Sequence, residues 1–353
     1  MKALHFTAGD RVLIFAPHPD DETIATGELI QLALGVGAAV RIVFATDGDN
    51  NPWPQRWLDR HWHIGAEERA RWGQRRRREA LAALGTLGVA ADDARFLGWP
   101  DQGLTECLMQ DDAATTRLVG EIAAFAPSHV AMPELRDRHP DHSALRVMLD
   151  LALLRMQDAP LRLGYTVHGH AMPDADAMTI SADRGRQQRK QQAMLAHASQ
   201  VALSRRRLLG LAGRAEHFAV VSGAGATPGI DRALRLRVPH RLPWSPGRRH
   251  ELLLVLATKH ETIRHRAPLP RFPRRNSAPL LIDAQGSPLP VEWDAGALHL
   301  SLPVVAAPLL AVYAKLDRCA PRLLIFDRER WHDAPDLLPA GVPLLGKTAN
   351  GLV

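Results

Sequence analysis

Two strand–loop–helix junctions, roughly 120 residues apart, constrain this chain more than any other feature. The first is the apolar run Val12-Leu13-Ile14-Phe15, followed by Ala16-Pro17-His18-Pro19-Asp20-Asp21-Glu22 and a helical pattern from Thr23. The second is His129-Val130-Ala131-Met132, a polar loop, and His139-Pro140-Asp141-His142 at the head of another helical pattern. A short apolar run bounded by turn residues reads as a buried strand. Further runs at 40–45 and 94–97, and Leu163 to His168, alternate with helical patterns at 23–35, 66–87, 112–125 and 143–155. That rhythm predicts an α/β fold, a Rossmann-like and mostly parallel sheet with helices on both faces. Each junction then sets a histidine and carboxylates at the C-terminal end of a strand, where open α/β sheets bind their ligands.

Imidazoles and carboxylates at two strand ends are the donor inventory of a divalent-metal site with an open position. A catalytic zinc takes three such ligands, acidifies water and polarises a carbonyl. The chemistry also needs a further carboxylate to take a proton. Asp20 and Asp21 are adjacent and so point in different directions, one able to bind metal while the other faces the water. Pro17, Pro19 and Pro140 stiffen the loops and bias Ala16, His18 and His139 away from helix. Each junction alone has a plainer reading. Asp20 or Asp21 could be a helix N-cap, Glu22 a first-turn charge favoured by the macrodipole, and His139 and His142 surface residues. The two junctions together favour the metal site.

Other segments extend the pattern. Thr46-Asp47-Gly48 closes the run Val40 to Phe44. Arg76 and Glu79 precede Ala80-Leu81-Ala82-Ala83-Leu84-Gly85, and Leu97-Gly98-Trp99-Pro100-Asp101-Gln102-Gly103-Leu104 forms a loop. Lys190 precedes Ala193-Met194-Leu195-Ala196-His197-Ala198-Ser199-Gln200, and Glu216-His217-Phe218 ends the series. With the two junctions, these segments resemble, in order, the motifs of the PIG-L/LmbE family of zinc-dependent N-deacetylases over about residues 10 to 220. The resemblance implies that His18, Asp21 and His142 bind Zn2+, although Fe2+ also suits a His/His/Asp set. It implies that Asp20 is the general base. His139 would stabilise the oxyanion or protonate the leaving amine, with Asp141 orienting it, and Arg76 and Asp101 would meet sugar hydroxyls. A tyrosine that some members carry near the second motif has no counterpart before His139, where Asp137 and Arg138 stand. The activity implied is removal of the N-acetyl group from an N-acetylglucosamine-type sugar, glycoside or glycolipid. One alternative is an amidase that cleaves a larger acyl group from a thiol or antibiotic conjugate. Another is a catalytically silent sugar-binding protein, against which the intact Asp20 argues.

At 353 residues the chain exceeds one typical core. We expect a catalytic domain at 1–221, a linker at 222–229 and a β-rich accessory domain at 230–353, where short apolar runs are split by proline-rich turns. Four of the eight tryptophans, Trp53, Trp57, Trp62 and Trp72, fall between the second strand and the arginine-rich helix. Trp53 and Trp57 could cover the sugar's aglycone, or they could pack the loop onto the body. His168 is a candidate for the pocket rim. The net charge is +6, but residues 230–275 carry +9 and the remainder −3. The basic segment suits an anionic group or surface, with a solvated face or a subunit contact as the alternative. The partners expected are an N-acetylated amino-sugar substrate, that anionic group or surface, and a second copy of the chain. Nucleic acid is not expected, because no known binding module is present. Cys107 and Cys319 lack metal spacing and read as reduced packing residues. With no signal peptide and no apolar run near 18 residues, the expected location is cytoplasmic.

Overall fold

The computed structural model describes residues 2–169 and 177–221. Beyond these it describes 235–239, 250–259, 261–269, 281–282, 288–289, 291–294, 297–301, 309–318, 330–333 and 338–339. The chain divides into two compact units, Met1–Gly223 and Ala224–Val353. In the first, chain order runs β1 (Lys2–Ala3), β2 (Arg11–Ala16), α1 (Asp21–Gly35), β3 (Ala39–Thr46), α2 (Pro52–Asp59), α3 (Ala66–Leu87) and β4 (Ala94–Trp99). It continues with α4 (Leu104–Gln110), α5 (Ala113–Phe125), β5 (His129–Pro133), α6 (Pro140–Leu154) and β6 (Leu161–Tyr165). β7 (Met178–Thr179), α7 (Arg184–Ala196), α8 (Ala198–Ala212) and β8 (His217–Val220) complete it.

These strands form one sheet in the order β1-β7-β8-β6-β5-β2-β3-β4. Its centre, β4-β3-β2-β5-β6, is wholly parallel, and β8 runs antiparallel to β6 and β7. Winding proceeds outward from β2 through β3 to β4, then restarts at β5 and goes the other way. With right-handed crossovers, that reversal sends the helices of the two halves to opposite faces. On one face Val12, Ile14, Val40, Ile42 and Phe44 pack in one cluster with Leu29 and Ile30 of α1 and Leu84 of α3, joined there by Met194 of α7 and Leu208 of α8 from the β7–β8 connection. The intervening Leu13, Phe15 and Val43 are equally buried, and their side chains point to the other face. Burial on both faces explains why these strands read as continuous apolar runs rather than alternating ones. Most importantly for function, the reversal leaves a crevice between the C-terminal ends of β2 and β5, the switch point where such sheets bind ligands.

The structure departs from the sequence expectation at helix starts. α1 begins at Asp21 and α6 at Pro140, each a few residues before the expected start, so Asp21, Asp141 and His142 stand in first helical turns rather than in loops. α2 and α4 were not expected from the pattern. Pro52 and Pro54 read as breakers in α2, yet Pro52 is the first helical residue, where a missing N–H removes no hydrogen bond. The Asn51 side chain accepts the Trp53 N–H at 3.3 Å and caps the helix.

The second unit holds β9 (Arg235–Pro239), β10 (His250–Ala257), β11 (Thr262–Leu269), β12 (Leu281–Ile282), β13 (Pro288–Leu289), β14 (Val291–Asp294), β15 (Ala297–Ser301), β16 (Ala311–Arg318), β17 (His332–Asp333) and β18 (Leu338–Pro339). They make two four-stranded sheets, β11-β10-β16-β17 and β14-β15-β9-β18, and a hairpin of β12 and β13. Every pairing is antiparallel, giving the smaller β-rich region expected. Leu252 to Ala257 of β10 are all buried. The expected linker at 222–229, Cys319 and the apolar run at 322–326 lie outside the described residues.

One buried ion pair ties the end of the first unit to α1. Lys190 Nζ of α7 lies 2.6 Å from Glu216 Oε1, just before β8. The same carboxylate accepts the Glu28 N–H at 2.7 Å and the Leu29 N–H at 2.9 Å, both in α1. Gly27 makes room for this, since a Cβ there would stand 2.8 Å from Lys190 Cγ. Breaking a buried pair from one side strands the other charge. Glu216→Ala is therefore expected to lower stability by about 3–5 kcal/mol, read as a shift of the urea midpoint of the full chain. An unchanged midpoint would refute the pair's role.

Candidate metal centre

The two switch-point turns converge on one carboxylate oxygen. Asp21 Oδ2 lies 3.1 Å from His18 Nδ1 and 3.1 Å from His142 Nε2. All three residues are buried. A tetrahedral ion with bonds of about 2.0–2.1 Å sets ligand–ligand edges of roughly 3.3 Å, so these spacings need little change to hold one. His142 carries the clearest sign of a missing partner. Its ring is fully buried, and neither nitrogen has a hydrogen bond of proper alignment. Among the described residues, three overlapping groups have donor atoms within 4.8 Å of one another: His18, His139 and His142; Asp21, His142 and His168; and His18, Asp101 and Asp141.

Hydrogen bonding sorts these groups. His139 caps α6, its Nδ1 accepting the Asp141 N–H at 3.2 Å. Burial and the nearby His18, His142 and His168 imidazoles push its pKa well below the usual value, so the ring is neutral. A neutral imidazole has one proton, which must then sit on Nε2. His139 thus offers an N–H donor there, not a metal ligand. Asp141 has both oxygens engaged, Oδ2 by the Gln102 N–H at 2.7 Å and Oδ1 by the Leu104 N–H at 3.2 Å. Asp101 Oδ2 accepts the Asn50 N–H at 2.8 Å. Their remaining capacity faces His18 Nε2, 3.2 Å from Asp101 Oδ1 and 3.3 Å from Asp141 Oδ2. On the far side, His142 Nδ1 lies 3.1 Å from Asp137 Oδ2. Each imidazole therefore has a carboxylate behind it, the arrangement that orients metal-binding histidines and raises their basicity.

The electrostatics point the same way. Burial opposes charge on His142, but Asp137 and Asp21 outweigh it and push its pKa up to about 9. His18 is likewise raised well above its usual value, with Asp101, Asp141 and Asp21 overcoming burial. Without a metal, protons on these rings supply the positive charge that the carboxylates demand. The donor set and its charge fit a divalent cation held by His18, Asp21 and His142.

Asp20 stands beside this centre. Burial pushes its carboxyl up to about 6 against the pull of the Arg76 guanidinium, with Asp21 adding to the rise. Arg76 Nη2 lies 3.2 Å from Asp20 Oδ1 and donates to the Pro19 carbonyl, while Nη1 donates to the Gly48 carbonyl at 2.8 Å. Only glycine fits at position 48. Its φ is +61°, and a Cβ would fall 1.7 Å from Arg76 Nη1. Arg76 thus directs Nη1 and Nη2 to the turns around Asp20, its Nε remaining without a partner, and Asp101 faces both His18 and Asn50.

The His168 ring lies 5.0 Å from that of His142 and 5.5 Å from that of His139. Trp53 and Trp57 are 62% and 72% exposed on α2. The packing of that region falls instead to Trp72, which is buried. Tyr165 is buried with its hydroxyl donating to the Phe15 carbonyl at 2.6 Å. A cavity of about 290 Å³ bounded by Asp49, Asn50, Gln55, Arg56 and Arg69 borders the site through the Asn50–Asp101 bond.

Sequence reasoning passed over Asp137. It accepts the His139 N–H at 2.9 Å, the Val167 N–H at 2.8 Å and the His168 N–H at 3.0 Å. Its signal was only an acid two residues before the second junction. It also assigned nothing to His197, whose Nε2 lies 3.1 Å from Glu22 Oε1 and 3.2 Å from Thr23 Oγ1.

Fold and site together define a doubly wound α/β domain with a buried His/Asp centre fitted to a divalent cation. A family profile described as PIG-L: GlcNAc-PI de-N-acetylase matches residues 13–153. Curated relatives are called 1D-myo-inositol 2-acetamido-2-deoxy-alpha-D-glucopyranoside deacetylase. The one from Mycobacterium sp. (strain KMS) is 31% identical over 185 residues, 48% of this chain and 58% of its own length. The one from Thermobispora bispora is 33% identical over 151 residues, 38% of this chain and 48% of its own. The chain thus spans about half the length of the curated relatives it matches. Among solved structures, N,N'-diacetylchitobiose deacetylase from Pyrococcus horikoshii is 20% identical with a TM-score of 0.48, over 63% of this chain and 88% of that one. A deacetylase triple mutant of the teicoplanin biosynthetic pathway is 22% identical with a TM-score of 0.48, over 60% of this chain and 98% of that one.

Substitutions should separate ligands from supports. His18→Ala, Asp21→Ala and His142→Ala are each expected to abolish stoichiometric zinc binding. Asp137→Asn should weaken it about 10–100-fold while leaving a site. Chelator competition measures both. Full zinc occupancy in the His142 variant, or unchanged affinity in the Asp137 variant, would contradict the assignment.

Proposed function

We propose that this protein is a metal-dependent hydrolase that removes the N-acetyl group from an N-acetylglucosamine-type sugar, glycoside or glycolipid. The observation that carries the reading is Asp20, a half-buried carboxyl pushed up to about 6, next in sequence to Asp21 of a metal-fitted His/Asp set that also has the neutral His139 ring against it. A binding module has no use for a base so placed. Zn2+ is the cofactor proposed, with Fe2+ the other ion suited to this donor set. The relatives named as sugar deacetylases and the match to the PIG-L profile support the substrate class.

In this reading the metal, when bound, acidifies water and polarises the acetamide carbonyl. Asp20 takes the water's proton, since a carboxyl tuned toward neutrality both accepts and returns a proton at working pH. Arg76 fixes Asp20 in place and limits how far its pKa rises. The C–O bond forms as the carbonyl oxygen gains charge, and the His139 Nε2–H is the donor for that oxygen. The C–N bond then breaks, the amine leaves with the proton that Asp20 returns, and acetate is released. Asp141 contributes through its main chain, whose N–H fixes the His139 tautomer, and through its carboxylate, which faces His18. Every group named lies in the first unit. The protein is proposed to act in the cytoplasm.

Asp20→Asn should keep its metal and lose about 10²- to 10⁴-fold in kcat, the usual share of general base catalysis. Acetate release from N-acetylglucosamine derivatives is the assay, run beside a panel of longer acyl chains. Near wild-type turnover would move the base to another carboxylate. A preference for long acyl chains would favour the amidase reading.

A further inference from the structure

Three large aromatic side chains of the first unit are exposed: Trp53, Trp57 and Trp62. Trp53 and Trp57 are one helical turn apart on α2, so both lie on its outer face, opposite the buried Pro54 and Gln55. Trp62 follows just beyond the helix and is 82% exposed. Leu58 is exposed as well. The indoles alone leave roughly 400 Å² in water, as much as the largest apolar patch of a typical monomer. Arg56 links two of these residues. The Arg56 guanidinium lies over the Trp53 ring at 5.1 Å, and its Nε donates to the Trp62 carbonyl at 3.0 Å.

α2 packs beside α8, and α8 carries the complementary feature. Leu203, Ser204, Arg205, Arg206, Arg207, Gly210, Leu211 and Arg214 surround a shallow concavity of about 700 Å³ with no acid in its lining. Its four arginines are exposed, and none has a carboxylate partner among the described residues. Leu203 is exposed at its edge, and a Cβ built on Gly210 would meet nothing within 4 Å. Unpaired guanidinium groups beside exposed indoles and leucines are ill suited to water alone. They match a surface that is anionic at its face and apolar just beneath, where tryptophan prefers the headgroup level and arginine meets phosphate.

We propose that the α2–α8 face is a docking surface for an anionic phospholipid bilayer. The indoles of α2 enter the headgroup layer while Arg205, Arg206, Arg207 and Arg214 hold lipid phosphates. α2 follows directly on Asn50, which is bonded to Asp101 beside the metal centre, so docking brings the site's rim to the lipid surface. The proposal concerns surface binding and stands whether or not the chain is a sugar deacetylase.

The test uses the full chain and sedimentation with vesicles of phosphatidylcholine alone or mixed equally with phosphatidylglycerol. Binding is expected to the mixed vesicles only, with a blue shift of tryptophan emission and a loss of affinity as salt rises. W53S/W57S/W62S should weaken binding at least tenfold and abolish the blue shift. R205Q/R206Q/R207Q should weaken it similarly and flatten the salt dependence. Unchanged thermal unfolding and zinc content would confirm that the variants remain folded. Three results overturn the proposal. The first is no binding to mixed vesicles. The second is binding that survives both triple variants, which would place it elsewhere, such as the basic 230–275 segment. The third is binding that needs the arginines but not the tryptophans and is matched by soluble heparin or polyphosphate, which would make the concavity a site for dissolved polyanions.

Discussion

Asp21 Oδ2, held 3.1 Å from an imidazole on each side, is the contact on which the rest of the site depends. It joins the turn after β2 to the first turn of α6, and so closes the crevice opened by the reversal of winding. Asp20, Asp101, Asp137 and Asp141 gather within reach of the same centre, a concentration of negative charge that a protein interior does not tolerate unneutralised. Two protonated imidazoles and one guanidinium offset part of it in the metal-free protein. Helix N-termini offset more, since Asp21 and Glu22 stand in the first turn of α1 and Asp141 in that of α6. A divalent ion held by His18, Asp21 and His142, as proposed, would supply the rest.

The segments that follow the two junctions in sequence act as braces for this centre. Arg76 crosses from α3 to grip the carbonyls of Pro19 and Gly48 and the carboxylate of Asp20. His197, at the start of α8, reaches Glu22 and Thr23. Ser199 donates its N–H to Glu79 Oε1 at 3.0 Å and its hydroxyl to Oε2 at 2.6 Å, fixing α8 to α3. Lys190 and Glu216 grip the middle of α1 from α7 and the approach to β8. The motifs spread from Thr46 to Phe218 are therefore largely one object in space, a frame that stops α1 from moving relative to the sheet.

The sheet was legible in the sequence because its strands are buried on both faces, and Val12 to Phe15 or Val40 to Phe44 can hardly be anything else. The two junctions were legible because proline, histidine and paired acids rarely coincide at strand ends. Helix starts were less so. His139 and Asp20 close the first turns of α6 and α1 themselves, and periodicity sees only the apolar positions further on. α2 escaped notice because its prolines sit where a helix tolerates them. Asp137 escaped because its importance comes from three backbone N–H groups and an imidazole, two of those N–H groups from beyond β6, and no local pattern encodes that. The split among the tryptophans was equally invisible. Trp72 and Trp57 share a composition and a neighbourhood, and only the packing of α3 against the turn after β3 buries one and leaves the other in water.

One backbone angle shows what the frame is for. Asp20 has φ +132° and ψ −25°, a conformation that glycine adopts easily and an aspartate does not. Such strain costs on the order of 1–3 kcal/mol and persists only where its surroundings over-determine it. Here they do. The Asp20 N–H donates to Glu22 Oε2 at 2.9 Å, its carbonyl accepts the Ile24 N–H at 3.0 Å, and its side chain meets Arg76. Glu22 is in turn held by His197 and Thr23. A glycine at position 20 would relax the turn but remove the carboxylate proposed as the base. The turn thus keeps two consecutive aspartates on different sides of one point, Asp21 toward the imidazoles and Asp20 toward Arg76. Regular helix or strand geometry could not point adjacent side chains to those two places, and the distant braces supply the free energy that holds the irregular one.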